Sequence, residues 1–248
     1  MNLYEFFPIR VLVEAASAVV TRLSELLAPL LGAQSAAIAI ILLTVAVRVL
    51  LIPVGRSQIK AGLVRQRLAP ELARLRQRYR NDPEQLRRRT MELYAAERAS
   101  PMAGCLPVLA QAPVLMAVYG LFVLPEIGGA ANGLLAHTFL GVPLDAGLLG
   151  MVGAGTISGG AALVFAAVML VIAVVAQASR RLLPMPQPEP PQPGMPDMSG
   201  MLRAMSFMPF LTAVFAAFVP LAAGLYLATT TAWTLGERLV LTRIFRSR

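Results

Sequence analysis

The chain has 248 residues, 57% of them hydrophobic and only 14% charged, with a mean hydropathy of +0.67. A soluble domain of this size carries about 25% charged residues, so the composition excludes a water-soluble globular protein and indicates a membrane protein. Net charge is +9, from 22 Lys and Arg against 13 Asp and Glu, and Lys60 is the single lysine. One cysteine, Cys105, and one histidine, His137, exclude a disulfide framework, a Cys/His metal cluster and a local Cys–His nucleophile pair. No metal, cofactor or redox chemistry is expected.

A helix crossing the hydrocarbon needs about 20 apolar residues at about 1.5 Å each. Residues 26–47, 99–125, 146–179 and 204–236 are uncharged windows of at least that length. Ahead of them, residues 1–28 mix apolar positions with Arg10, Glu14, Arg22 and Glu25. That pattern suits an amphipathic helix lying at the membrane interface. Acids at Glu5 and Glu14 fit neither a cleaved signal nor a transit peptide. Pro29 fits the first turn of a helix, and the first span is placed at 29–52, interrupted by Arg48.

From 53 to 100 the chemistry inverts, with twelve Lys and Arg against five acids. Leu68, Leu72, Leu75 and Tyr79 recur at helical spacing, and Leu86, Leu93 and Tyr94 supply a second stripe. Between them, Asp82 as N-cap, Pro83 at N1 and Gln85 at N3 mark a helix restart. The expectation is an antiparallel helical hairpin in water. The second span, 101–124, contains Pro107 and Pro113, whose freed carbonyls need partners from neighbouring helices. A Gly-rich linker without Lys or Arg follows at 125–160, then a third span at 161–183 ending in Arg180 and Arg181. Residues 184–201 form a Pro- and Met-rich loop, with seven prolines from Pro184 to Pro196. Pro220 divides the last window into a fourth span, 202–219, and a fifth, 221–241, before a basic tail, 242–248. With five spans, nineteen of the 22 basic residues fall on one side. The positive-inside rule makes hairpin, loop and tail cytoplasmic and the N-terminus external.

Arg48 is the sharpest single feature. A charge at the bilayer centre costs about 2.5 to 3.5 kcal/mol on insertion scales, so it normally faces a wet cavity or a partner. From its position five residues before Pro53 it can also snorkel to the headgroups, and the residues alone leave both readings open. Thr44 lies one turn away on the same face, and Gln111 lies in the second span, so the two helices can share a polar surface. No acid is expected inside the spans to neutralise Arg48, which leaves its charge for a visiting carboxylate. The hairpin reads either as a solvated face that sets topology or as a contact arm for a ribosome, a targeting receptor or anionic lipid. The methionine cluster beside the Pro-rich loop reads as interface packing or as an adaptable apolar surface. No phosphate loop, paired catalytic carboxylates or Ser/His/Asp arrangement is present.

Several strings resemble the YidC/Oxa/Alb family of membrane protein insertases. LLTVAVRVLLIPVGRSQIKA is similar to the family's first core helix, with Arg48 at the place of its intramembrane arginine. The segment after the hairpin resembles the family signature, with Pro101, Gly104, Cys105, Leu106, Pro107, Gln111 and Pro113 matching and Ser100 standing for an Asn. VPLAAGLYLATTTAWTL is similar to the last helix and places Tyr226 and Trp233 in register from Pro220; Ala222 and Thr231 stand where Gly and Asn are frequent. The resemblance implies an all-α polytopic membrane protein of the short bacterial form, with five transmembrane helices around a hydrophilic groove, a cytoplasmic hairpin and an N-terminal interfacial helix. Arg48, Thr44, Gln111 and Tyr226 are expected to line that groove. Pro101, Gly104, Cys105, Pro107, Pro113, Pro220 and Trp233 are expected to be structural.

The implied function is insertion and folding assistance for integral membrane proteins in the bacterial plasma (inner) membrane. The groove would receive the translocated polar segment without nucleotide or covalent step, so the chain is not expected to be an enzyme. Implied partners are nascent membrane proteins and the lipid bilayer, with ribosome, targeting receptor and Sec translocase as candidates for the basic hairpin and tail. Sequence-specific nucleic acid binding is not expected. The alternatives are a small transporter or permease subunit holding an anionic solute at Arg48, which predicts inverted repeats, and a structural adaptor in which the hairpin alone matters.

Overall fold

The computed structural model describes residues 4, 6–97, 99, 106–183 and 207–246, without the side chains of 106–111 and 246. Pro101, Gly104, Cys105 and the seven-proline loop lie outside these residues, as does the start of the fourth expected span. The described chain is mostly helical: α1 (Phe7–Leu31), α2 (Ser35–Leu50), α3 (Ile52–Arg78), α4 (Pro83–Ala96), α5 (Leu106–Val123), α6 (Leu148–Gly153), α7 (Gly159–Leu182), α8 (Met208–Phe215) and α9 (Leu221–Arg246). The linker after α5 adds two minimal antiparallel hairpins, β1 (Glu126–Ile127) with β2 (Ala130–Ala131) and β3 (Thr138–Phe139) with β4 (Val142–Pro143).

Three boundaries differ from the sequence expectation. The break expected at residue 28 falls at Gly32, whose φ of 54° is open to glycine at little cost. Pro29 therefore sits inside the last turn of α1, and α2 begins only at Ser35 after a 3₁₀ turn, Gly32–Gln34. The tail expected at 242–248 is not separate, because α9 continues to Arg246. At the other end of the third span, α7 starts at Gly159, where Ser158 accepts a capping bond from the Ala161 amide at 3.1 Å.

α1 buries Ile9, Val13, Val20 and Ser24 against α2 and α5, while its Arg10–Glu14 and Arg22–Glu25 pairs face outward. The Ser24 and Ser35 hydroxyls meet at 3.0 Å, satisfying two buried polar groups across the α1–α2 turn. The main core joins Ala36, Ala37, Ala39 and Ile40 of α2, Val118, Leu121 and Phe122 of α5, Phe165, Val168 and Ile172 of α7, and Leu221, Ala222 and Ala223 of α9. Alanines at these contacts let backbones approach closely, the packing mode favoured where lipid removes the hydrophobic drive between helices.

Outward faces are strongly apolar. Leu163, Leu170 and Val174 of α7 and Leu211, Val214 and Phe215 of α8 are exposed. Contiguous apolar faces of this kind are not tolerated in water and are suited to lipid. By length and composition, the helical Phe7–Leu50 segment, which turns at Gly32, and α7 meet what a membrane crossing needs.

The ends of the bundle are finished differently. At the end where α2 begins, the Asn132 amide donates to the Leu121 and Leu124 carbonyls at 2.8 and 2.9 Å, and its oxygen accepts from the Leu134 amide. One side chain thus closes the last turn of α5, whose carbonyls lack helical donors. Nearby, the Leu221 and Ala222 amides donate to Ala146 and Leu144 carbonyls, and Gly147 pairs with Pro220. Pro220 leaves no amide to satisfy at the turn between α8 and α9.

At the opposite end α2 runs almost directly into α3, and α3 and α4 form a helical hairpin. Asp82 caps α4, accepting from the Gln85 amide at 2.9 Å, with Pro83 at the first helical position. Leu68 and Tyr94 are the buried residues of the pair, and Arg67 reaches Glu97 across it at 4.0 Å. Hydrogen bonds from Arg89 and Arg88 hold the Glu92 carboxyl below the ordinary carboxylate range. That pairing is complete above the ordinary range and fades only as pH falls through the lowered value.

Two stability predictions follow from these caps. Asn132→Ala strands the Leu121 and Leu124 carbonyls and should cost about 1–3 kcal/mol, read as a lower melting temperature of the detergent-solubilised chain. Asp82→Ala should cost about 1 kcal/mol locally, seen as faster hydrogen exchange at the first turn of α4 with the melting temperature of the bundle unchanged.

Candidate functional site

Arg48 occupies the last turn of α2, where a cation complements the helix dipole. A single turn residue, Leu51, separates α2 from α3, and α9 passes alongside both. Between the three lies a cavity of about 270 Å³. Arg48 and Leu51 close one side of it, and Val54, Gly55, Gln58, Ile59, Gly62, Leu63 and Gln66 of α3 form a second. Thr234, Glu237, Arg238 and Thr242 of α9 form the third, and Leu183 completes the wall. Arg48 is half-buried, and among the described residues it has no carboxylate within 4.0 Å.

The expected absence of an acid in the spans is corrected here. Glu237 lies within the fifth span's own bounds, 221–241, and shares the Arg48 cavity. Its Oε2 accepts a hydrogen bond from the Trp233 indole N–H at 3.2 Å, one helical turn earlier. α3 accommodates the carboxylate because residue 55 is glycine; a Cβ there would collide with Glu237.

The four residues expected to share one groove are not brought together. Thr44 is fully buried, and its hydroxyl donates to the Ile40 carbonyl at 2.7 Å, so it is turned back onto its own helix rather than toward a cavity. Tyr226 lies elsewhere, with its ring 6.2 Å from that of Phe122. It lines a separate apolar cavity of about 400 Å³ with Tyr4, Leu115, Met116 and Tyr119 on one side and Phe215, Val219, Ala223 and Leu227 on the other. The separation follows from helix length: Tyr226 and Glu237 are eleven residues apart on α9, about 16 Å along its axis. The side chain of Gln111 is outside the described set. Of the residues expected to be structural, Pro107 lies in α5 with its side chain outside the described set, Pro113 is exposed inside α5, Pro220 forms the α8–α9 turn and Trp233 orients Glu237.

Sequence reasoning missed Gln58, Gln66, Thr234, Glu237 and Arg238. A signal was present, because Trp233, Thr234, Glu237 and Arg238 are spaced to share one helical face. It was masked because the acids were counted over the uncharged window, 204–236, while the span placed there runs on to 241.

A third cavity, of about 620 Å³, lies between α3 and α4 and is bordered by Arg56, Lys60, Arg65, Tyr94 and Glu97. Lys60 sits 5.3 Å from the ring centre of Phe245 on α9, a cation–π contact that ties the hairpin to the end of the bundle.

The chain is similar to proteins named membrane protein insertase YidC from several bacteria. That of Clostridium perfringens is 40% identical over 95 residues, 38% of this chain and 40% of the relative. That of Fusobacterium nucleatum is 39% identical over 84 residues, 34% of this chain and 41% of the relative. For Geobacter sulfurreducens the identity is 43% over 82 residues, 33% of this chain and 15% of the relative. The matches therefore span less than half the length of these relatives. The family described as 60Kd inner membrane protein matches residues 27–248. A match over nearly the whole chain means that the chain belongs to this family, the YidC/Oxa/Alb family that its Arg48 and Cys105 segments resemble.

Proposed function

We propose that the chain is a membrane protein insertase and chaperone of the bacterial plasma membrane, acting on nascent membrane proteins. The observation that carries the mechanism is the placement of Arg48 on the wall of a polar cavity. A guanidinium lying out among headgroups would be fully exposed; this one is half-buried between α2, α3 and α9.

A polar segment that must cross the bilayer loses its hydration, and each unpaired peptide group costs several kcal/mol in hydrocarbon. A recess lined by Gln58, Gln66 and Thr242 supplies replacement hydrogen-bond partners. Arg48 adds a charge that attracts carboxylates more strongly than it would in water, because the surroundings screen it less. The substrate's apolar segment then leaves for lipid. The apolar cavity beside Tyr226, flanked by the exposed faces of α5 and α8, offers a surface of matching chemistry on the way. Partitioning of that segment supplies the free energy, at about 25 cal/mol per Å² of apolar surface, and neither nucleotide nor covalent intermediate takes part.

In this reading five helices cross the membrane: α2, α5, α7, the α8 segment and α9. The N-terminus is outside. The α3–α4 hairpin and the end of α9 are cytoplasmic, where their arginines are open to a ribosome, a targeting receptor, the Sec translocase or anionic lipid. The transporter reading, with Arg48 holding an anionic solute, gains no support from the family or its named relatives.

The test uses reconstituted full-length protein and single-span substrates whose translocated terminus carries two Asp or two Asn. Arg48→Ala should lower insertion of the Asp substrate by about ten-fold, the factor set by about 1.4 kcal/mol, and Arg48→Lys should retain most of it. Equal activity of the two variants on the Asp substrate would overturn the electrostatic role of Arg48.

A further inference from the structure

Glu237 is unlike the other acids of the described chain. Arg10–Glu14, Arg22–Glu25, Arg67–Glu97 and the Glu92 pairs are exposed ion pairs outside the cavities of the bundle core. Glu237 instead lines the same cavity as Arg48 and Arg238. One carboxylate oxygen is held by the Trp233 N–H, while the other, Oε1, is buried with no hydrogen-bond partner. A buried acceptor left without a donor is costly, and it persists here between Trp233 on its own helix and the bare backbone of Gly55 on α3. The cavity thus holds two guanidinium groups and one carboxylate of its own.

We propose that Glu237 is a specificity-determining residue that competes with the substrate for Arg48. An incoming carboxylate that approaches Arg48 also approaches Glu237, and the like-charge repulsion offsets part of the attraction. A neutral polar terminus meets no such penalty. Glu237 therefore lowers the preference for acidic translocated segments that Arg48 alone would impose, and widens the range of termini the cavity admits. The inference rests on the reading of Arg48 as the receptor for substrate carboxylates.

The experiment measures the ratio of insertion of the Asp substrate to the Asn substrate, each by the same reconstituted preparation, so that differences in the amount of folded protein cancel. Glu237→Gln removes the charge while keeping an oxygen for the Trp233 N–H, and should raise the ratio about five-fold, the factor commanded by about 1 kcal/mol. Glu237→Asp, which keeps the charge, should stay near the parent ratio. In Arg48→Ala the ratio should fall below the parent. A ratio that falls in Arg48→Ala but is unchanged or lowered in Glu237→Gln would overturn this inference alone. A parent-like ratio in Arg48→Ala would overturn the functional reading and the inference together.

Discussion

The constraint on which the structure turns is the cost of placing a guanidinium beside hydrocarbon. Arginine keeps its proton under all ordinary conditions, so the protein must solvate the charge rather than neutralise it. Arg48 sits in the last turn of α2, beside a cavity that α9 borders with hydroxyl, carboxylate and guanidinium groups. Glycines at 55 and 62 line the α3 wall.

The opposite end has a contrasting construction. There the linker after α5 is bonded backbone to backbone onto the start of α9, and Asn132 satisfies the carbonyls at the end of α5. Main-chain groups that would otherwise need water are paired inside the fold, as membrane-depth backbone requires. The core of small and branched residues joining α2, α7 and α9 runs from this end toward the cavity. Among the described residues, the polar-lined Arg48 cavity thus lies at the α2–α3 end, and the paired main-chain groups lie at the other.

Between the two ends lies the apolar cavity beside Tyr226. A polar cavity and an apolar one thus lie along neighbouring stretches of the same helix, α9.

Composition and window length determined that the chain is a helical membrane protein, because the hydrocarbon thickness fixes how many uncharged residues a crossing helix needs. Local chemistry made Asp82 legible as a cap and Arg48 legible as an anomaly, since both depend on neighbours within a turn or two. The end of α1 was misplaced because Pro29 and Gly32 are both breakers, and only packing decides which one the chain uses. Tertiary structure alone decided the company Arg48 keeps. Gln58, Glu237 and Gly55 come from segments whose separation in sequence says nothing about distance in space, and Thr44, though in register with Arg48, spends its hydroxyl on its own helix. Which side chains share a cavity is set by how helices cross, and crossing angles are a property of the assembled bundle rather than of any one strip of sequence.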